Sequence, residues 1–162
     1  MTDTGRPLAV IDIDGVVADV RHRLRFVEGA PKDWDAFFAA ATDDPALEVG
    51  VARVAGLAAE HDIVFVTGRP ERCRRDTEAW LTRAGIGGWP VVMRRNGDRR
   101  PARQTKLHEI RTLARTAAVA LVVDDDPDVC ATLTEAGFTV ERAEWMARPK
   151  SLHEAQEGQG RT

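Results

Sequence analysis

Short apolar runs that break abruptly into polar residues recur along the chain. Leu8 to Ile13 is apolar and β-branched until Asp12 and Asp14 interrupt it, the pattern of a buried strand whose C-terminal end carries function. Asp62 to Thr67 repeats the pattern and stops at Gly68-Arg69, and Val119 to Val123 stops at Asp124-Asp125-Asp126-Pro127. Weaker runs at Trp89 to Met93 and Phe138 to Val140 bring the predicted strands to five. Helical periods fill the gaps. Leu47, Val51, Val54, Leu57 and Ala58 form one apolar stripe, Cys73, Thr77, Trp80 and Leu81 a second, and Leu107, Ile110, Leu113 and Ala114 a third. A fourth helix is predicted from Pro127, a good first helical residue, through Val129, Cys130 and Leu133 to Gly137. Strands alternating with helices through right-handed crossovers predict an α/β fold, a Rossmann-like three-layer sandwich around a five-stranded parallel sheet. In such sheets the site lies beyond the C-terminal strand ends, where the polar clusters fall.

Two stretches depart from this rhythm. Asp19 to Asp44 has an arginine-rich start (Arg21, Arg23, Arg25) and one helix predicted around Asp33 to Ala41. Residues 149–162 are polar and end in Glu-Gly-Gln-Gly-Arg-Thr, which predicts a disordered tail and leaves 1–148 as a single domain. A length of 162 residues, 43% of them hydrophobic and 30% charged, suits one domain with its own core and excludes a fibrous or largely disordered chain. With 23 basic and 26 acidic residues the net charge is -3, so affinity for nucleic acid or an anionic surface must come from a local patch. No apolar run approaches a membrane span of about 20 residues, and Met1 to Val10 lacks a secretory pattern; this predicts a cytoplasmic protein without a membrane partner. Cys73 and Cys130 have no metal-ligand spacing and read as free thiols.

The candidate chemistry begins at Asp12-Ile13-Asp14-Gly15, two carboxylates just past a buried strand, followed by a glycine that lets the backbone turn. Alone, the tetrapeptide also fits an ordinary strand-to-loop turn. Its company favours a site: Thr67-Gly68-Arg69 ends one strand, Lys106 lies near a helix start, and Asp124, Asp125 and Asp126 end another strand. So many carboxylates at one sheet edge repel one another without a cation, which implies Mg²⁺. Three successive aspartates allow more than one register, with Asp125 favoured as the direct ligand. The four histidines, His22, His61, His108 and His153, share no ligand spacing.

The order of these motifs over Leu8 to Asp128 resembles the haloacid dehalogenase superfamily of phosphohydrolases. That resemblance implies Asp12 as the nucleophile forming an aspartyl phosphate and Asp14 as general acid and base. It implies Thr67 holding a phosphate oxygen, Lys106 neutralising phosphoryl charge, and a Mg²⁺ held by Asp12, the Asp14 carbonyl, Asp124 and Asp125. Many members carry a cap domain; here Thr67 to Lys106 is filled by one helix, a strand and a loop, and only Asp19 to Asp44 could form a small flap. No large cap is expected.

Val10 to Asp19, Val64 to Arg69, Thr77 to Leu81, Val92-Met93-Arg94, Gly97 to Pro101 and Val122 to Pro127 resemble, more closely, the phosphatase domain of bacteriophage-type polynucleotide kinase/3′-phosphatases. This implies substrate-binding roles for Gly68, Arg69 and Arg23 and a polynucleotide 3′-phosphate as substrate. An acidic residue that family places shortly before the lysine is replaced here by Ala102-Arg103. No Gly-x-x-x-x-Gly-Lys-Ser/Thr loop is present, which excludes kinase activity on this chain and leaves a separate kinase or ligase as a partner to be expected. Arg94, Arg95, Arg99, Arg100 and Arg103 form a basic run that reads either as a solvated loop or as a track for a phosphate backbone. The alternatives are a phosphatase of nucleotides or other small metabolites, and a non-catalytic phosphate-binding or regulatory module.

Overall fold

The computed structural model describes residues 5–162; residues 1–4 of the predicted domain lie outside it. The five predicted strands form as β1 (Leu8–Ile11), β2 (Asp62–Pro70), β3 (Val91–Arg94), β4 (Val119–Asp124) and β5 (Val140–Arg142). They pair in the order β3-β2-β1-β4-β5 with every pairing parallel. Between them run α1 (Arg25–Glu28), α2 (Trp34–Ala39), α3 (Glu48–Ala58), α4 (Arg74–Arg83), α5 (Ala102–Leu113) and α6 (Pro127–Glu135), and α7 (Lys150–His153) follows β5. The period-2 alternation of a strand divides the core. Ala9, Ile11, Ile63 and Phe65 pack with Val54, Leu57, Trp80 and Leu81 of α3 and α4, while Leu8, Val10, Val64 and Val66 pack with Ile110, Val129 and Leu133 of α5 and α6. Both faces are therefore covered, as an all-parallel sheet requires. No helix among the described residues is long and apolar enough to cross a membrane.

The 19–44 stretch forms a small helical flap and no large cap domain. Asp33 caps α2 by accepting from the Ala36 N–H at 2.9 Å, and Phe37 and Phe38 of that helix join a third apolar cluster with Val20, Leu24, Val27, Met146 and Leu152. Leu152 belongs to the segment expected to be disordered. In the structure that segment is folded: α7 continues into a π-helical turn at Glu154–Gly158, and Leu152, Ala155, Gln156 and Thr162 are buried. Sparse apolar anchors and distant ion pairs hold it, neither of which its local composition displays.

Candidate active site

β1 delivers Asp12 to the sheet edge, where its N–H donates to the Val123 carbonyl at 3.0 Å. The chain then coils tightly, with the Val16, Val17 and Ala18 N–H groups all donating to the Ile13 carbonyl at 2.9–3.2 Å. Gly15 has φ +82°, and a Cβ there would collide with the Asp125 carboxylate, so glycine permits both the turn and the approach of the two loops. On β2 the register against β3 slips between Thr67 and Pro70. Gly68 and Arg69 fall in that interruption, and the bulge turns Arg69 inward.

Asp12, Asp14, Thr67, Arg69, Lys106, Asp124 and Asp125 all converge there and are buried. The Lys106 Nζ lies 3.0 Å from Asp12 Oδ1 and 2.6 Å from Asp124 Oδ2. Burial opposes the ammonium charge, but Asp12 and Asp124 outweigh it and hold Lys106 well above its ordinary range. Burial pushes Asp12 upward against the pull of Lys106, with Asp124 and Asp125 adding to the rise. It also pushes Asp125 up to about 6 despite Arg148, whose guanidinium donates to Asp125 Oδ2. Thr67 accepts the Arg69 N–H at 3.2 Å and, with Lys106, lines a cavity of about 250 Å³ that opens beside β3 and α5.

Asp12, Asp124 and Asp125 each offer an oxygen within 4.8 Å of the others. Asp12 Oδ2 and Asp125 Oδ1 are buried without a hydrogen-bond partner, a costly arrangement that a hard cation relieves. The donor set fits a divalent ion. The Asp14 carboxylate belongs to a different network: its Oδ1 accepts from Arg69 (Nε 2.9 Å, NH2 2.6 Å) and Arg23 (NH2 3.0 Å), and its Oδ2 from the Thr162 hydroxyl at 2.9 Å. Burial alone would raise Asp14, yet Arg69 and Arg23 hold it well below the carboxylate range.

Arg23 and Arg69 are thus engaged with carboxylates in this arrangement. Their second partner is Asp44, whose importance is hidden in the sequence. Asp44 accepts from Arg23 Nε at 2.8 Å and NH2 at 3.0 Å and from Arg69 NH2 at 2.9 Å, and lies 2.7 Å from His22 Nε2. Its carbonyl takes the Trp80 indole N–H at 2.9 Å. Asp43-Asp44-Pro45 reads locally as a turn; only partners 21 and 25 residues away reveal its role. Arg148, the last residue of the predicted domain, and Thr162, in a tail whose composition shows no core, were hidden likewise. The basic run divides: Arg94 is buried and donates to the Gly68 and Arg100 carbonyls at 3.1 and 2.7 Å, Arg100 pairs with Asp98, and Arg103 pairs with Glu157.

A doubly wound parallel sheet with paired aspartates, a Thr-Gly-Arg edge and a lysine converging at its C-terminal end defines a haloacid dehalogenase-superfamily phosphatase. Residues 7–144 match the family described as the polynucleotide kinase PNKP phosphatase domain, and the chain belongs to that family. No curated protein matches the sequence. Chains of the Pnkp1/Rnl/Hen1 complex and the Pnkp1/Rnl/Hen1 RNA repair complex are similar in fold, with TM-scores of 0.67 and 0.65 at 18% identity. The matches cover 86% and 88% of this chain but 47% and 44% of theirs, so it spans under half of those chains. The class C acid phosphatase from Bacillus anthracis superposes with a TM-score of 0.65 at 16% identity, over 95% of this chain and 72% of that one.

Proposed function

We propose that this phosphatase is a Mg²⁺-dependent phosphomonoesterase that removes 3′-phosphates from polynucleotide ends through an aspartyl phosphate on Asp12. The observation that carries the reading is the buried Asp12 carboxylate, one oxygen against Lys106 and the other unpartnered. The Asp12 carboxylate attacks phosphorus through one oxygen, the ester P–O bond breaks, and the departing 3′-oxygen takes a proton from Asp14. Water then attacks the phosphorus of the acyl phosphate and passes its proton back to Asp14, releasing phosphate and restoring Asp12. Lys106 offsets charge on the phosphoryl oxygens, and Thr67 and the Gly68 backbone hold them.

A bound Mg²⁺ would be held by Asp12 and Asp125, with Asp124 and the Asp14 carbonyl completing the set, and would supply a fixed positive charge to an anionic transition state. For the first half-reaction Asp14 must carry a proton, so an arriving phosphate has to draw Arg69 and Arg23 partly away from it. For the second half, the carboxylate left by that transfer takes a proton from water while the arginines remain drawn away, which keeps it basic. The family match supports the polynucleotide substrate. The likeness to chains of an RNA repair complex supports a separate kinase or ligase as partner.

The test is a Mg²⁺-dependent phosphate-release screen across 3′- and 5′-phosphorylated oligonucleotides, mononucleotides and sugar phosphates. The reading expects selective 3′-end hydrolysis that chelator abolishes and that Asp12→Asn lowers by several orders of magnitude. Near wild-type turnover by Asp12→Asn sinks the covalent mechanism, and selective turnover of small esters replaces the polynucleotide with a metabolite.

A further inference from the structure

Arg99 is exposed, and among the described residues its side chain has no hydrogen-bond or ion-pair partner. Two arginines from distant parts of the chain are brought to it. Arg161 lies over the Trp34 indole of α2, 4.7 Å from the ring centroid, and residue 160 packs against the Arg99 carbonyl. Arg72 lies over Phe38 at 5.3 Å and pairs with Asp35 at 2.8 Å, while its N–H donates to Asn96 Oδ1 at 3.0 Å. The flap helix, the turn after β2, the 95–100 loop and the last residues of the chain therefore meet, bringing Arg72, Arg99 and Arg161 together beside Asp35, itself 86% exposed. Arg161 registers the imbalance: burial lowers its affinity for a proton, Arg99 and Arg72 lower it further, and Asp35 opposes them. A further anion, one whose oxygens can accept from more than one guanidinium, would complete the cluster.

The cluster adjoins the catalytic edge, since Thr162, the residue after Arg161, touches Asp14, and Arg72 follows Arg69 by three positions. We propose that Arg72, Arg99 and Arg161 form a second anion site, for a backbone phosphodiester of the strand whose terminal phosphate enters at Asp12. This rests on the polynucleotide reading. Trp34 acts here by holding Arg161 through its π-face. The site explains how a protein of net charge -3 gathers a polyanion: the attraction is local, at the lip of the pocket, and needs no overall positive charge.

Binding is separated from turnover by using Asp12→Asn protein and a fluorescent 3′-phosphorylated oligonucleotide, titrated by anisotropy across a salt series. Arg99→Gln and Arg161→Gln are each expected to weaken binding severalfold and to reduce the slope of log affinity against log salt by about 1. Arg115→Gln, the same charge change on an exposed residue past α5, controls for net charge and should leave the slope unchanged. In the otherwise wild-type enzyme, KM for the oligonucleotide should rise at least fivefold more than KM for a nucleoside 3′-monophosphate, which lacks the adjoining phosphodiester. Tight oligonucleotide binding with unaltered slopes, or equal losses on both substrates, overturns the second site while leaving the polynucleotide reading intact. Absence of oligonucleotide binding and of 3′-end hydrolysis by the unmodified protein overturns both.

Discussion

Asp44 is the residue on which the arginines of the site depend. Its side chain is fully buried between Arg23 and Arg69, and those two cations share only one other carboxylate, Asp14. Without Asp44, two buried guanidiniums face a single negative charge. Removing one partner of a buried ionic group costs about 3–5 kcal/mol, which in a domain of this size lowers the melting temperature by on the order of 10 °C. Asp44→Ala should show that loss by calorimetry, with Asp44→Asn intermediate because the amide still accepts one hydrogen bond. A melting temperature unchanged by Asp44→Ala would mean that Asp14 alone balances both arginines.

Among the elements, those with the strongest periodicity were legible. β1, β2 and β4 stand where apolar runs meet aspartate or glycine, and α3 to α6 follow their stripes. β5 is displaced, running from Val140 to Arg142 instead of beginning at Phe138. The cause is the end of α6: Gly137 takes φ +94° and the Phe138 N–H donates back to the Leu133 carbonyl at 3.0 Å, so Phe138 completes the helix cap. The carboxylates of the site were legible because they stand at strand ends. Asp44, Arg148 and Thr162 were not, because what defines them is a partner remote in sequence.

The tail makes its own prediction at this scale. Glu157 is held between the Arg103 guanidinium and Asp126, and burial, then its contact with Asp126, push it up to about 7 against the pull of Arg103. A raised carboxyl favours the docked state most below its unfolded value of about 4.3, and that contribution fades as pH rises through 7. Hydrogen exchange in residues 150–158 should therefore quicken between pH 6 and 8. In Glu157→Gln, which cannot ionise, exchange corrected for its intrinsic pH dependence should stay flat. Identical pH profiles in the two proteins would remove Glu157 as the cause.

At the scale of the whole molecule, Arg148 joins the last core turn of the chain to the centre of the proposed metal site. Its guanidinium donates to Asp125 and is steadied by Gln156 Oε1 at 2.8 Å. The protein thereby carries an internal counter-ion, a tethered cation paired with one of its buried aspartates. Emptying the site therefore leaves Asp125 with a partner, and the metal-free chain should keep a single cooperative thermal transition. The tether also weakens the hold on an ion: its positive charge stands on Oδ2 beside the unpartnered Oδ1 that would face the ion, and like charges repel. Arg148→Gln should consequently bind Mg²⁺ more tightly in a calorimetric titration, and its melting temperature should drop further in chelator than in saturating Mg²⁺. If Mg²⁺ binds both proteins alike, the tethered charge does not act on the ion; if it binds the variant more tightly, a side chain from the last folded turn sets how strongly the distant sheet edge can hold a metal.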